Sequence, residues 1–498
     1  MKKISYSLLI LCVSYLGMSH ISAQGLVLTS LKSNDQIKDY NKAHPNNIWN
    51  SSSTQLGITD TLVLPFFEDF TGTEVYPDFT KFIDNAVYVN NHFPISPPSY
   101  GVATFDNLDN QGNPYETLND GASSVSDYLT SQPINMKEYK IGASFQDYEL
   151  KDSIFFSFFF QEGGNGDKPE KNDSLVLQFK DSSQNWNTVW SIIGGTSDTF
   201  GQIIIGIDSN HYLFQAFQFR FYNYSKNTGN MNHWNVDFIR MAQGRTSLDL
   251  DIKEIAINRT TNSLLKNYGI LPYDHFFANS SNEIASNINL TYRNSSNTTA
   301  NTALQYEAFN QYDTRIGFEP FSSNNRNILL KSDSTESFSM IRLDTLSGKE
   351  PLVRIKYSIQ PQSNDNVAIS YNASTNNNVW EKTYQFSNYF AYDDGSPEAG
   401  MGLEYGGLPS GEGYVANKFT ANKKDSIWGV NIHLTQILKD VSSIPFEIIL
   451  WQNITSTSET HMRDDEIIYS QSVSYLKPDT INGSYFIQFD TAQVLEPG

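Results

Sequence analysis

Between residues 214 and 239 the chain reads FQAFQFRFYNYSKNTGNMNHWNVDFI. Phe217, Phe219 and Phe221 alternate there with Gln218, Arg220 and Tyr222. Successive side chains of a strand point to opposite faces, so this period of two puts three phenylalanines in a core and leaves the others outside. A polar, glycine-containing turn follows, and residues 233–239 make a second apolar strand carrying a single acid, Asp237. Two such runs joined by a polar connection read as a hairpin that closes a β-domain. Long amphipathic helical patterns are missing along the chain, so layered sheets are the expected architecture.

The N-terminus sets the expected compartment. Lys2 and Lys3 precede an apolar run at residues 7–18, and Ile21, Ser22 and Ala23 supply a small residue before Gln24. That order is a secretory signal peptide over residues 1–23, whose apolar core is too short and broken for a membrane span. No transmembrane segment is expected beyond it. The one cysteine, Cys12, lies inside the signal, so the mature chain has neither disulfides nor thiolate metal sites. An exported chain without disulfides holds itself together by large cores, by calcium, or by both.

Length and charge narrow the choice further. The 498 residues leave room for several domains. A formal charge of −20 argues against nucleic acid or anionic lipid as partner, since both are polyanions. It suits divalent cations instead. With 39% hydrophobic and 18% charged residues, the composition is that of a folded exported β-protein and not of a disordered tail.

Residues 24–58 are polar and aperiodic and read as a leader. Residues 59–244 offer short apolar runs between turn residues. Among them, residues 154–160 (IFFSFFF) are almost wholly apolar and predict a central strand covered on both faces. The expected unit is an antiparallel jelly-roll sandwich. Residues 247–380 carry further strands, at 287–293, 303–309 and 352–359, and alternation at 248–252 adds another. Their spacing predicts an immunoglobulin-like β-sandwich. Residues 388–498 make a third β-sandwich, with alternation at Trp428, Val430, Ile432 and Leu434 and again at Phe446, Ile448 and Leu450. Pro497-Gly498 is a turn signal, so this unit is expected to be incomplete, with at least one strand to follow. The fold class is therefore all-β throughout.

Two segments carry a family resemblance. Residues 65–115, from PFFEDF to DNAVYVNNHFPISPPSYGVATFDNLDNQGNPY, together with FQFRFYNY and HWNVDFI, resemble large secreted or surface proteins of Bacteroidota that use type IX secretion. Residues 388–405, NYFAYDDGSPEAGMGLEY, are similar to the opening of a C-terminal β-domain in the same proteins. The resemblance implies export to the cell surface or beyond it. The first module also resembles the jelly rolls of MAM and cleaved-adhesin domains. That likeness implies a structural calcium between an acidic strand near the domain start and an aspartate of the closing hairpin, here Glu68, Asp69 and Asp237. Calcium takes several hard oxygen ligands, and such a site would tie the two ends of the domain together. The same acids also suit solvated strand ends.

Other candidate residues are less specific. Asp106-Asn107-Leu108-Asp109-Asn110-Gln111-Gly112 lacks EF-hand spacing and reads as an Asx-rich turn. Triplets of Asp, Ser or Thr, and an aliphatic residue, as at 152–154 and 425–427, resemble an O-glycosylation signal of exported Bacteroidota proteins. They equally suit strand starts after turns. The sequence has no HExxH, no P-loop and no GxSxG, and no two mature histidines show zinc-motif spacing. His433 falls on the polar side of its strand and is expected to be exposed. Tyr222, Tyr224 and Trp234, beside the hairpin, either stack on sugar rings or pack a core.

The leading functional expectation is a noncatalytic secreted or cell-surface protein for adhesion, recognition or surface structure, with glycans or surface proteins as partners. Its rivals are an extracellular hydrolase or a glycan-binding accessory module, and a component of the surface export apparatus. A groove with two close carboxylates points to the hydrolase. A flat sheet face studded with aromatics points to binding.

Overall fold

The computed structural model describes residues 25–45, 61–72, 75–115, 123–196, 198–226, 229–260, 263–321, 325–339, 343, 346–361, 376–393, 395, 397–404, 415–435, 445–452, 467–474 and 483–498. In chain order it begins β1 (Gly25–Thr29), α1 (Asp35–Ala43), β2 (Leu62–Val63), β3 (Phe66–Glu68), β4 (Tyr88–Asn90), β5 (Val102–Phe105), β6 (Ser123–Thr130), β7 (Ile134–Asn135), β8 (Glu138–Ile141) and β9 (Ser144–Asp147). Next come β10 (Phe155–Glu162), β11 (Ser174–Lys180), β12 (Trp186–Ile193), β13 (Gly201–Gly206), β14 (Phe219–Lys226) and β15 (Trp234–Ala242). A second group is β16 (Ile255–Thr260), α2 (Tyr273–Ala278), α3 (Ser280–Glu283), β17 (Asn287–Asn294), β18 (Ala300–Asn310), β19 (Arg315–Glu319), β20 (Asn325–Ile328), β21 (Ser332–Ser339), β22 (Leu352–Pro361) and β23 (Val379–Gln385). The last is β24 (Gly400–Glu404), β25 (Asp425–Leu434), β26 (Phe446–Trp451), β27 (Ile467–Val473) and β28 (Gly483–Leu495).

The first sandwich is a jelly roll of two antiparallel sheets. One runs β13-β10-β15-β5-β4, with β3 also on β15, and the other β12-β11-β14-β6. Between them Phe156 and Phe158 of β10 meet Phe179 of β11 and Phe219 and Phe221 of β14, with the Phe156 and Phe219 ring centroids 4.7 Å apart. Burying each such ring contributes about 2–3 kcal/mol. As the run IFFSFFF predicts, β10 is central, flanked by β13 and β15.

The expected closing hairpin is not a hairpin. β14 pairs with β11 and β6, whereas β15 pairs with β10, β3 and β5, so the connection between them steps from one sheet to the other. Alternation fixes which face of a strand is buried and leaves its neighbours open. The two strands differ accordingly: β14 alternates, while β15 is buried at every position but its last. Trp234, a candidate for the surface, is 0% exposed.

Two further expectations are corrected. The segment read as a leader contains α1, whose N-cap Asn34 accepts hydrogen bonds from the backbone of Gln36 and Ile37. Such a cap satisfies amides that the first helical turn leaves without partners. Residues 248–252 do not form a strand. There Asp249 is drawn to Arg245 Nε at 2.6 Å, and the Leu250 N–H turns back onto the Leu248 carbonyl.

β1 and β24 pair antiparallel within one compact unit, and residues Ser30–Glu398 with Thr420–Gly498 make up the other. Within the larger unit, β16-β17-β21 faces β19-β18-β22-β23, with β20 on β18, in an immunoglobulin-like sandwich over Leu290, Tyr292, Phe338 and Ile355. The pairs β25-β28 and β26-β27 form a third sandwich over Ile448, Ile487 and Phe489. Among the described residues, no helix is long and apolar enough to cross a membrane.

Candidate recognition face and acidic clasp

The ladder between β3 and β15 sets Glu68 opposite Ile239, which brings the start and the end of the jelly roll side by side. Glu68, Asp69 and Asp237 are thereby gathered at one end of the sheet, 3%, 7% and 0% exposed. Glu68 Oε2 lies 2.8 Å from Lys81 Nζ, and its Oε1 accepts the Phe70 N–H at 2.6 Å. Asp69 Oδ1 accepts the Thr71 N–H at 3.2 Å, and Oδ2 accepts from Asn377 Nδ2 at 3.0 Å. The same Asn377 amide also donates to Glu254 Oε1 at 2.9 Å. Asp237 accepts the N–H groups of Phe238 and Ser99, at 2.6 and 3.4 Å.

Electrostatics at this clasp are strained by burial. Burial first, and then the charge of Glu68, push the Asp69 carboxyl up to about 6. Burial and the charge of Asp69 hold Asp237 well above the usual carboxylate range. Among the described residues, no group of three or more His, Cys, Asp and Glu side chains is arranged to hold a metal ion. The Asp106–Gly112 run behaves as an Asx turn: Asp106 Oδ1 accepts the Leu108 N–H, and Asp109 Oδ1 accepts those of Gln111 and Asn113. His433, expected in solvent, is only partly exposed and lies 2.9 Å from Asp35 Oδ2.

A second feature lies on the outer face of the β12-β11-β14-β6 sheet. Because Phe219 and Phe221 face the core, Arg220, Tyr222 and Tyr224 face out. Register sets Tyr222 beside Tyr128 of β6 and Val176 of β11, and Arg220 beside Gln178. The Arg220 guanidinium stacks 4.2 Å from the Trp186 ring and 5.4 Å from that of Tyr128, and its Nε donates to Gln178 Oε1 at 2.8 Å. Cation–π contact of this kind holds the rings in fixed orientation. The result is a row of aromatic faces interleaved with Arg220, Gln178 and Lys180. Tyr222 and Tyr224 are on this face as the alternation predicts. Trp186 and Tyr128 join it from β12 and β6, and only the sheet order reveals them as neighbours. Beside α1, a cavity of ≈ 400 Å³ adds a mixed lining of Tyr40, Tyr88 and Tyr100 with Asp39, Asn91 and His92.

No family model matches the chain, and no curated protein matches it. Several solved structures show distant similarity. A glycosyl hydrolase family 2 member from Bacteroides cellulosilyticus is 7% identical, with 60% of this chain and 35% of that one covered and a TM-score of 0.21. A β-galacturonidase of the same family from Eisenbergiella tayi is 8% identical, with 61% and 42% covered and a TM-score of 0.22. A Bacteroides uniformis β-glucuronidase is 10% identical, with 47% and 24% covered and a TM-score of 0.17. The chain thus spans less than half the length of each, and these scores assign neither a family nor an activity.

Proposed function

We propose that this is a noncatalytic recognition protein of the cell exterior that binds glycans on the outer face of the β12-β11-β14-β6 sheet. One observation carries the reading: Arg220 clamped against Trp186 and Tyr128, with Tyr222 next to it in register. A sugar ring offers an apolar C–H face that packs on an aromatic ring, and its rim of hydroxyls pairs with amides and cations such as Gln178, Arg220 and Lys180. Rigid aromatics bind at low entropic cost because little side-chain freedom is left to lose. The acids of the clasp are sealed from any substrate, so they are unsuited to protonating a glycosidic oxygen. The signal-like residues 1–23 and the cysteine-free remainder support a secreted or surface location, and the Bacteroidota-like segments support type IX export.

The test is retardation of the full chain in native gels containing a panel of soluble polysaccharides. Trp186→Ala and Tyr222→Ala are each expected to weaken the binding roughly tenfold, the loss of about 1.4 kcal/mol, with melting temperature nearly unchanged. If no polysaccharide retards the wild type, or the double variant binds as well as the wild type, the assignment fails.

Calcium at Glu68, Asp69 and Asp237 belongs to the same proposal as a structural part. Its support is three buried carboxylates gathered at one end of the sheet, with Lys81 paired to Glu68 at 2.8 Å. Chelator is expected to lower the melting temperature of the wild type, and Asp237→Ala to remove that dependence. An unchanged melting temperature in both proteins sinks the calcium clasp without touching the glycan face.

A further inference from the structure

The four strands that carry the recognition face divide their charges by side. Their cations are Lys180 on β11 and Arg220 and Lys226 on β14, and their single acid is Asp127 on β6. The strand β12 carries no charge. Phe179, Phe219 and Phe221 fill the core, so alternation turns Lys180, Arg220 and Lys226 outward, whereas Asp127 is 0% exposed. The whole chain holds 54 acids against 34 lysines and arginines. A sheet face with cations and no carboxylate of its own runs against that composition.

At the rim of the face, Lys226 meets Glu170 at 3.5 Å. Asp181, in the turn between β11 and β12, accepts the N–H groups of Ser183 and Asn185 and the Asn187 amide. Asp84 feels the charge of Arg220, but its Oδ2 accepts the Thr130 N–H at 2.8 Å. Among the described residues, neither Arg220 nor Lys180 is within salt-bridge distance of a carboxylate. Lys180 Nζ donates to Gln218 Oε1 at 3.1 Å and lies 5.8 Å from the Trp186 ring. Arg220 uses only its Nε, on Gln178, and among the described residues its two terminal NH2 groups meet no acceptor. Trp186 and Tyr128 hold the guanidinium by its plane, which leaves the NH2 edge to a ligand.

We propose that the glycan bound on this face is anionic: a polysaccharide whose rings carry carboxylate or sulfate groups, with the anion on Arg220 and Lys180 and a ring on Tyr222. The inference rests on the glycan reading above and names the class of glycan. A guanidinium offers parallel N–H bonds at the spacing of carboxylate or sulfate oxygens, and such charge-assisted pairs are about twice as strong as neutral ones. Stacking has already fixed Arg220, so little of its freedom is lost on binding. The net charge of the chain repels a polyanion at long range. Exposed charges are screened beyond about 8 Å at physiological ionic strength, so the cations that touch the ligand decide.

Binding to the full chain is measured by calorimetry at physiological ionic strength against two matched pairs of polymers: polygalacturonate with its methyl ester, and dextran sulfate with dextran. In at least one pair the charged member is expected to bind roughly tenfold more tightly than its neutral counterpart. Which pair shows the preference tells whether the anion is a carboxylate or a sulfate. Arg220→Gln keeps a hydrogen-bonding amide and removes the charge, so it is expected to erase the preference while leaving the neutral polymers as they were. Lys180→Gln is expected to reduce it several-fold, and it carries the test should Arg220→Gln fail to fold. Equal binding of charged and neutral members, weakened by Tyr222→Ala, overturns the anionic class and leaves the glycan face standing. Binding of no polymer at all overturns both. A preference that survives in both variants places the anion elsewhere and overturns the site. Single-stranded oligothymidylate binding as tightly as the charged polymers also overturns it, because the face is then a platform for stacked bases.

Discussion

Asp69 sits between the Thr71 amide, Asn377 and the charge of Glu68, and burial followed by that charge raises its carboxyl to about 6. The folded state therefore holds this proton more tightly than the unfolded chain does. Its contribution to stability is complete below the unfolded value near pH 4 and is lost as pH rises through about 6. His233 acts in the opposite sense. Burial lowers it to about 4, its ring stacks on Phe93 at 4.4 Å, and its Nε2 meets Asn230 Oδ1. Stability tied to His233 is complete above about pH 6.5 and is lost as pH falls through about 4. In chelator-containing buffer, Asp69→Asn should match the wild type at pH 4 and exceed it at pH 7.5 by up to about 3 kcal/mol. Urea unfolding at the two pH values measures this, and a difference independent of pH counts against the burial argument. Among these residues, only the association of Glu68, Asp69 and Asp237 was legible in the sequence, through the family resemblance. The raised carboxyls were not, because desolvation depends on what packs above each acid.

At the scale of elements, the alternation of β14 was read correctly, whereas the alternation at 248–252 made no strand and the pairing of β14 with β15 was misread. Phe219 and Phe221 face the core as their spacing predicts, yet β14 and β15 belong to different sheets. Period two is a property of one strand, whereas pairing is settled by the Phe-rich faces that meet between sheets. The same limit hid half of the recognition face, since Trp186 and Tyr128 become neighbours of Arg220 only once β12, β11, β14 and β6 are ordered. In α1 the N-cap signal Asn34-Asp35 was present, but with only Ile37 buried its apolar stripe is too thin to read. Phe219 tests the layered core directly, because from β14 its ring meets two rings of the opposite sheet, Phe66 of β3 at 5.3 Å and Phe156 of β10 at 4.7 Å. Phe219→Ala is expected to cost about 3–5 kcal/mol, the range for deleting a buried aromatic ring. A loss below about 1 kcal/mol in urea unfolding contradicts the packing described for this core.

At the scale of the whole molecule, the jelly roll and the immunoglobulin-like sandwich share one compact unit, and Tyr100 is central to their joint. Its N–H donates to the Ile257 carbonyl at 2.9 Å, and its ring meets Trp380 edge-on at 4.7 Å. The hydroxyl lies 2.6 Å from the Val379 carbonyl and 3.0 Å from that of Asn376. One residue further on, Asn377 spans Asp69 of the first sandwich and Glu254 at the edge of the second. Domain order was legible in the sequence as runs of strands, but this joint was not, since its partners are some 280 residues apart. Within the connection between the sandwiches, Leu248 is 82% exposed. If the joint couples the two cores, they melt together in the wild type. Removing the Tyr100 ring then removes packing on both sides at once, so Tyr100→Ala should split their calorimetric transition in two and speed chymotryptic cleavage near Leu248. Tyr100→Phe keeps the ring and loses one hydrogen bond, worth about 1 kcal/mol, so it should lower the transition without splitting it. A single unsplit transition in Tyr100→Ala means that the sandwiches are held by the acidic node at Asn377 instead, and Asn377→Ala becomes the substitution that separates them.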